Sequence, residues 1–306
     1  MSTDAILPFF PDWFKFDLVG ASPVIAVAAL LLCAWYLQGA IRMWVRSRPW
    51  SAPRTISFVL GCALMFVIAT FGVNRYASVS LTALMFQQIT AMTVIPPLLI
   101  LGSPGRLLLR STSHRGAGRL ILRVAHAGLR SRWTRALLHP LMPIAIALVA
   151  FPGLYLTDVV SVVMTNRVGA TLLLIFFLGA GITAAVPLWS SDPLPRAPSF
   201  PARLIDIVVE IQVHAILGLI LIRAGKPLLT AYTVPQQGVD PAFDQAIAGM
   251  LLWTYAELPL LIVLIVCLSR WQSRDRRRAR LNDAREDAEL EAYNAYLQQI
   301  DQNNRR

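Results

Sequence analysis

The sequence predicts an all-α fold: a polytopic transmembrane helix bundle of about seven spans, N-terminus outside and C-terminus in the cytoplasm. Three observations lead there. Hydrophobic residues make up 56% of the 306-residue chain and charged residues only 15%, too little charge to cover a soluble domain. Seven apolar runs approach the 20 or so residues a helix needs to cross the hydrocarbon. Basic residues crowd into every second connection between those runs.

The runs fall at about 22–41, 55–73, 80–101, 140–157, 168–188, 204–222 and 246–268. The third ends in Pro96-Pro97 and then Gly102-Ser103-Pro104, which should kink its last turns and stop it. The fourth carries Pro140, Pro143 and Pro152. Proline is tolerated inside a bundle, where neighbours satisfy the freed carbonyls. The first 268 residues therefore form a transmembrane domain, and 269–306 a cytoplasmic tail.

A net charge of +11 points either to nucleic acid or to cytoplasmic membrane loops. The arginine positions decide. The 42–54, 102–139 and 189–203 connections and the tail after 268 hold 23 of the 28 basic residues. The other five, Lys15, Arg75, Arg167, Arg223 and Lys226, lie in the alternate segments. Seven spans sort the charges cleanly, and nucleic-acid binding is excluded.

The 102–139 stretch mixes arginine with Leu107, Leu108, Leu109, Leu120, Ile121, Leu122 and Val124. That pattern predicts an amphipathic helix in the interface, its arginines on anionic lipid headgroups. In the tail, 270–280 is a basic cluster and 283–301 is acidic, with Leu290, Tyr293, Leu297 and Ile300 at helical spacing. The N-terminus carries Asp4, Asp12 and Asp17 against one Lys15, so no cleavable signal peptide is expected. Cys33, Cys62 and Cys267 each sit alone in an apolar run and read as small core hydrophobes.

Ionisable side chains in lipid are costly, so each is a functional candidate. Asp206, Glu210 and His214 stand at i, i+4 and i+8, on one face of the sixth span. His214 rises about 12 Å above Asp206 at the standard helical pitch, toward mid-membrane. Glu257 reaches a similar depth on the seventh span, and a His214–Glu257 contact is one expectation. A buried polar pair locking two helices is the structural alternative. On the third span Met85, Gln88 and Met92 share a face; thioethers suit Cu(I), although methionine also packs well in helices. Asp244 and Gln245 open the seventh span, where a carboxylate favours a helix N-terminus.

Other chemistries are disfavoured. Retinal needs a lysine inside the last helix, and the only lysines are Lys15 and Lys226. Membrane haem generally needs paired intramembrane histidines, and only His214 lies in a span; His114, His126 and His139 fall in or beside a loop. No Walker loop, nucleophile elbow or HExxH motif occurs, so no catalytic residues are expected.

Several strings taken together resemble the CtaG-type cytochrome c oxidase assembly family. They are Ser80 to Pro104 (SLTALMFQQITAMTVIPPLLILGSP), Asp192-Pro193-Leu194-Pro195, the run His214 to Gly218, Asp244 to Gly249 leading to Trp253, and Ala292 to Leu297. The resemblance implies an assembly or maturation factor for a respiratory haem-copper oxidase in a bacterial plasma membrane. It would partner oxidase subunits and assist copper insertion from the outer side. Many members carry histidines where this chain has Leu84 and Gln88. Copper would then fall to His214, Met85, Met92 and Glu257, with Gln88, Glu210 and Asp244 as further polar-core residues. The alternative is a proton-coupled small-solute or ion transporter using Glu210, His214 and Glu257.

Overall fold

Proline and small polar residues set where the helices begin. The computed structural model describes residues 10–17, 22–113, 115–139, 141–190, 192, 200–234 and 239–304. After α1 (Phe10–Trp13) comes α2 (Pro23–Val45), with Ser22 at its N-cap and Pro23 in its first turn. Helix α3 (Ala52–Thr70) repeats the device with Ser51 and Pro53. Proline belongs there because its missing N–H is one no helix would use, and its φ is already helical.

A short α4 (Gly72–Tyr76) leads to the third span. This is α5 (Leu81–Ile89), a π-helical turn (Thr90–Val94) and α6 (Ile95–Leu101). Pro96 and Pro97 supply no N–H to the carbonyls four residues earlier, which opens the ladder at this turn. Thr90 and Thr93 donate their hydroxyls to the Phe86 and Ile89 carbonyls across the same stretch. The third span is the centre of the bundle. It packs against α3 and the two spans described next as α12 and α14, and 67% of its apolar stretch is buried, against 33% for α2.

Ser103, at φ +50°, turns the chain into α7 (Pro104–Ser111). Then follow α8 (Ala117–Arg130), α9 (Arg132–Leu137) and α10 (Met142–Leu148), the last continued by a π turn at Val149–Gly153 around Pro152. The remaining helices are α11 (Val159–Val163), α12 (Arg167–Trp189), α13 (Phe200–Arg223), α14 (Pro241–Thr254) and α15 (Glu257–Asn304). The chain divides into two units, residues 1–261 and 262–306. Within the second, α15 continues as one helix to Asn304, with Leu290 and Tyr293 exposed. The Leu297 and Ile300 side chains lie outside what is described.

Among the described residues six helical stretches are long and apolar enough to cross a membrane, and the expected fourth span is a shorter apolar helix, Met142–Gly153. The chain nevertheless passes from end to end through it. Leu107 of α7 packs on Gly39 near the C-terminal end of α2. Asp158, just after the fourth helix, is bonded to Thr230, and Tyr232 to the Ala77 carbonyl at the opposite end.

That end gathers the sparsely basic segments. Gly72 N–H donates to the Lys15 carbonyl, Arg75 meets Asp17, and Gln245 donates to the Lys226 carbonyl. At the other end Asp192 accepts from the backbone N–H groups of Gly105 and Arg106, at 2.8 and 3.2 Å. Its carboxylate so caps α7. A Cβ on Gly105 would stand 2.6 Å from that carboxylate oxygen, so a larger residue there would push the Asp192 side chain off its cap. The α8 helix carries arginines 119, 123 and 130 along one strip and leaves Leu120, Ile121 and Val124 exposed, as an interfacial helix would.

Candidate functional site

Two glycines bring the sixth and seventh spans together. A Cβ on Gly218 of α13 would lie 2.8 Å from the Gly249 carbonyl oxygen, and one on Gly249 would lie 2.6 Å from the Gly218 oxygen. Absence of side chains lets these backbones nearly touch. The face of α13 that carries Asp206, Glu210 and His214 is buried, all three less than 6% exposed.

His214 packs edge-to-face on Phe151, ring centroids 4.6 Å apart, and Phe151 in turn on Phe177 at 5.8 Å. Phe151 lies in the π turn of the fourth helix. One turn further, the Tyr155 hydroxyl donates to Gln88 Oε1. The fourth helix therefore stands between the third and sixth spans, touching Gln88 with Tyr155 and His214 with Phe151.

This core holds polar atoms without hydrogen-bond partners among the described residues: both ring nitrogens of His214, Gln88 Nε2, and one oxygen each of Glu210 and Glu257. Each such atom costs roughly 1–3 kcal/mol if it stays unpaired. The His214 ring nitrogens and the unpartnered carboxyl oxygens are free to take a proton or a ligand, and the Gln88 amide N–H group is free to donate. His214 makes no hydrogen bond or ion pair with Glu257. Met85 is fully buried and Met92 nearly so, and Leu84 is buried beside them. Among the described residues no three His, Cys, Asp or Glu side chains gather as a metal site.

Asp244 and Gln245 serve the end of the bundle. Asp244 accepts from Ser80 Oγ at 2.9 Å, from Leu81 N–H at 2.6 Å and from Thr82 N–H at 3.3 Å. Thr82 Oγ1 donates to the Asp244 carbonyl. The helix Asp244 caps is thus α5, while Asp240 caps its own α14. Gln245 donates to the Leu221 and Lys226 carbonyls and accepts from Leu228 N–H, fixing the connection after α13. Gln87 donates to the Ile68 carbonyl and to Asn74 Oδ1.

Asp158, at φ +57°, clamps the next connection. It accepts from Thr230 N–H at 2.9 Å, from Thr230 Oγ1 at 2.7 Å and from Ser161 Oγ. Hydrogen bonds from Ser161 and Thr230 hold its carboxyl below the usual carboxylate range. Burial pushes the Tyr232 hydroxyl well above its ordinary value.

Two features were missed in the sequence reading. The fourth helix links Gln88 to His214 through Tyr155 and Phe151, residue types that read only as core. Cys33 and Cys62, isolated in sequence, interact across α2 and α3. Pro193–Pro195, Pro235–Gly238 and His114 lie outside the described residues.

A family model for the cytochrome c oxidase caa3 assembly factor matches residues 34–274. Uncharacterized proteins of Mycobacterium bovis and Mycobacterium tuberculosis are each 28% identical over 94% of this chain. One of Mycobacterium leprae is 26% identical over 96% of it. The chain spans 44–45% of the length of these relatives. No solved structure matches it.

Proposed function

The chain belongs to the cytochrome c oxidase caa3 assembly factor family, and we propose from that premise that it assists the maturation of a respiratory haem-copper oxidase. The observation that carries this reading is the family match across six of the seven apolar runs and the last part of the first. The role is non-catalytic: the protein docks beside an oxidase subunit in a bacterial plasma membrane. The arginine-rich connections face the cytoplasm and bind anionic lipid.

Copper is the cargo in the finer reading, with Met85, Met92 and His214 as soft donors along a path rather than in one closed site. Two features support it: burial of both thioethers, and an imidazole whose nitrogens bond no described residue. Leu84 offers no donor, and Gln88 Oε1 is engaged by Tyr155.

Deletion of the gene tests the assembly role. Oxidase activity and assembled oxidase should fall in the membranes and return on complementation; unchanged levels reject the reading. Cu(I) titration of the purified protein tests the cargo. Binding should weaken in Met85→Leu with His214→Ala, and no binding at all leaves assembly by docking alone.

A further inference from the structure

The end of the bundle opposite the arginine-rich connections contains a cleft of about 580 Å3 between the starts of α2 and α12 and the turn after α4. Arg75 and Arg167 both line it. They are two of only five basic residues outside the arginine-rich segments, so their convergence on one cleft is a concentration of charge where the chain otherwise has little. None of the described residues lining the cleft is acidic. Among the described residues the Arg75 guanidinium makes one ion pair, at 3.5 Å with Asp17, and Asp17 lies outside the lining.

Hydrogen-bonding groups share the lining with the two arginines. Ser22 Oγ and Thr171 Oγ1 meet at 3.1 Å across the cleft wall. Asn74, Ser78, Thr165 and Asn166 complete the polar lining. Ser22 and Asn166 are also the N-caps of α2 and α12, each 23 residues long, so the positive ends of two long helix dipoles point here. In the first turns of both helices, beyond the residues that line the cleft, apolar side chains are exposed: Val24 and Val27 on α2, Val168 and Leu172 on α12.

We propose that this cleft binds the anionic phosphodiester headgroup of a phospholipid, with the acyl chains lying along the exposed faces of α2 and α12. Guanidinium groups match a phosphodiester geometrically and electrostatically. The cleft sits where the spans begin, at the depth of the headgroups. A polar cationic pocket continuous with apolar helix faces fits an amphiphile better than a free ion. Inorganic phosphate shares the headgroup chemistry and is the competing source.

Native mass spectrometry of the full-length protein, titrated with phosphatidylglycerol, phosphatidylcholine or inorganic phosphate, tests this. Arg75→Gln with Arg167→Gln should retain one fewer phosphatidylglycerol than the wild type, with at least a tenfold loss of affinity for it. Arg223→Gln with Lys226→Gln, which removes the same charge elsewhere at this end, should retain the full number. Arg75→Lys with Arg167→Lys, eluting as wild type does, guards against misfolding and should recover part of the affinity. Phosphate binding lost in the glutamine variant, with no lipid difference, assigns the cleft to free anions and overturns the lipid proposal. Equal lipid retention by all variants, or a loss equal in the Arg223/Lys226 control, overturns it too.

Discussion

Asp244 receives the backbone N–H of Leu81 at 2.6 Å, so the third helix of the bundle is capped by a carboxylate from the seventh, 163 residues later. The same carboxylate takes the Ser80 hydroxyl and the Thr82 N–H, leaving the start of α5 without orphan donors.

Asp244→Ala leaves several donors unpaired in a buried setting. It should lower stability by about 2 kcal/mol, the sum expected for a lost cap and a stranded polar group. Ser80→Ala, which removes one of the bonds, should cost about 1 kcal/mol. Thermal unfolding in detergent orders the two, and an Asp244→Ala protein as stable as the wild type contradicts the trans-cap.

Gly218→Ala and Gly249→Ala should each destabilise by roughly 1–3 kcal/mol, because the new methyl group meets backbone that cannot step aside. Gly179→Ala in α12 meets nothing within 4 Å and should be neutral or slightly stabilising, since alanine is the better helix former. Comparing the three variants separates close packing from helix propensity.

Acid should loosen the connection after α13. The Asp158 carboxyl titrates lower in the folded protein than in the unfolded chain. Its contribution is therefore complete above the unfolded value, near 4, and is lost as pH falls through the lower folded value. Hydrogen exchange at Thr230 and Ala231 should rise in that acid window. Asp158→Asn should exchange faster at neutral pH and show a flatter response to acid.

Tyr155→Phe should strand the Gln88 amide completely and cost about 1–3 kcal/mol. Gln88→Leu, removing both its satisfied and its unsatisfied ends, should cost less than Tyr155→Phe, and unfolding midpoints report the order. Leu84→His with Gln88→His places imidazoles beside the buried Met85, and Cu(I) retention by the purified protein should then exceed that of the wild type.

The spans were legible because burial in lipid demands long apolar runs, and basic residues alternate with them. The structure gathers the two classes of connection at opposite ends, as that alternation requires. Pro152 signalled an irregular fourth span, and the π turn around it explains why that helix is short. The position of His214 along α13, two turns beyond Asp206, was legible because rise per residue is fixed. Which helix it faces was not, since the rotation of one helix against another leaves no trace in spacing; it meets Phe151. Asp244 was recognisable as a capping residue from its place at a helix start, but its partner helix was not, because the pairing is tertiary. The Arg75–Arg167 cleft was hidden for the same reason.

The Asp244 cap also sets an order of events during synthesis. At about 5–20 residues per second, the ribosome needs roughly 8–30 s to go from Leu81 to Asp244. Throughout that interval the Leu81 and Thr82 amides at the start of the third helix lack their carboxylate partner. The middle of this protein is completed last, and a nascent chain that stalls before Asp244 presents a frayed helix to the quality-control machinery of the membrane.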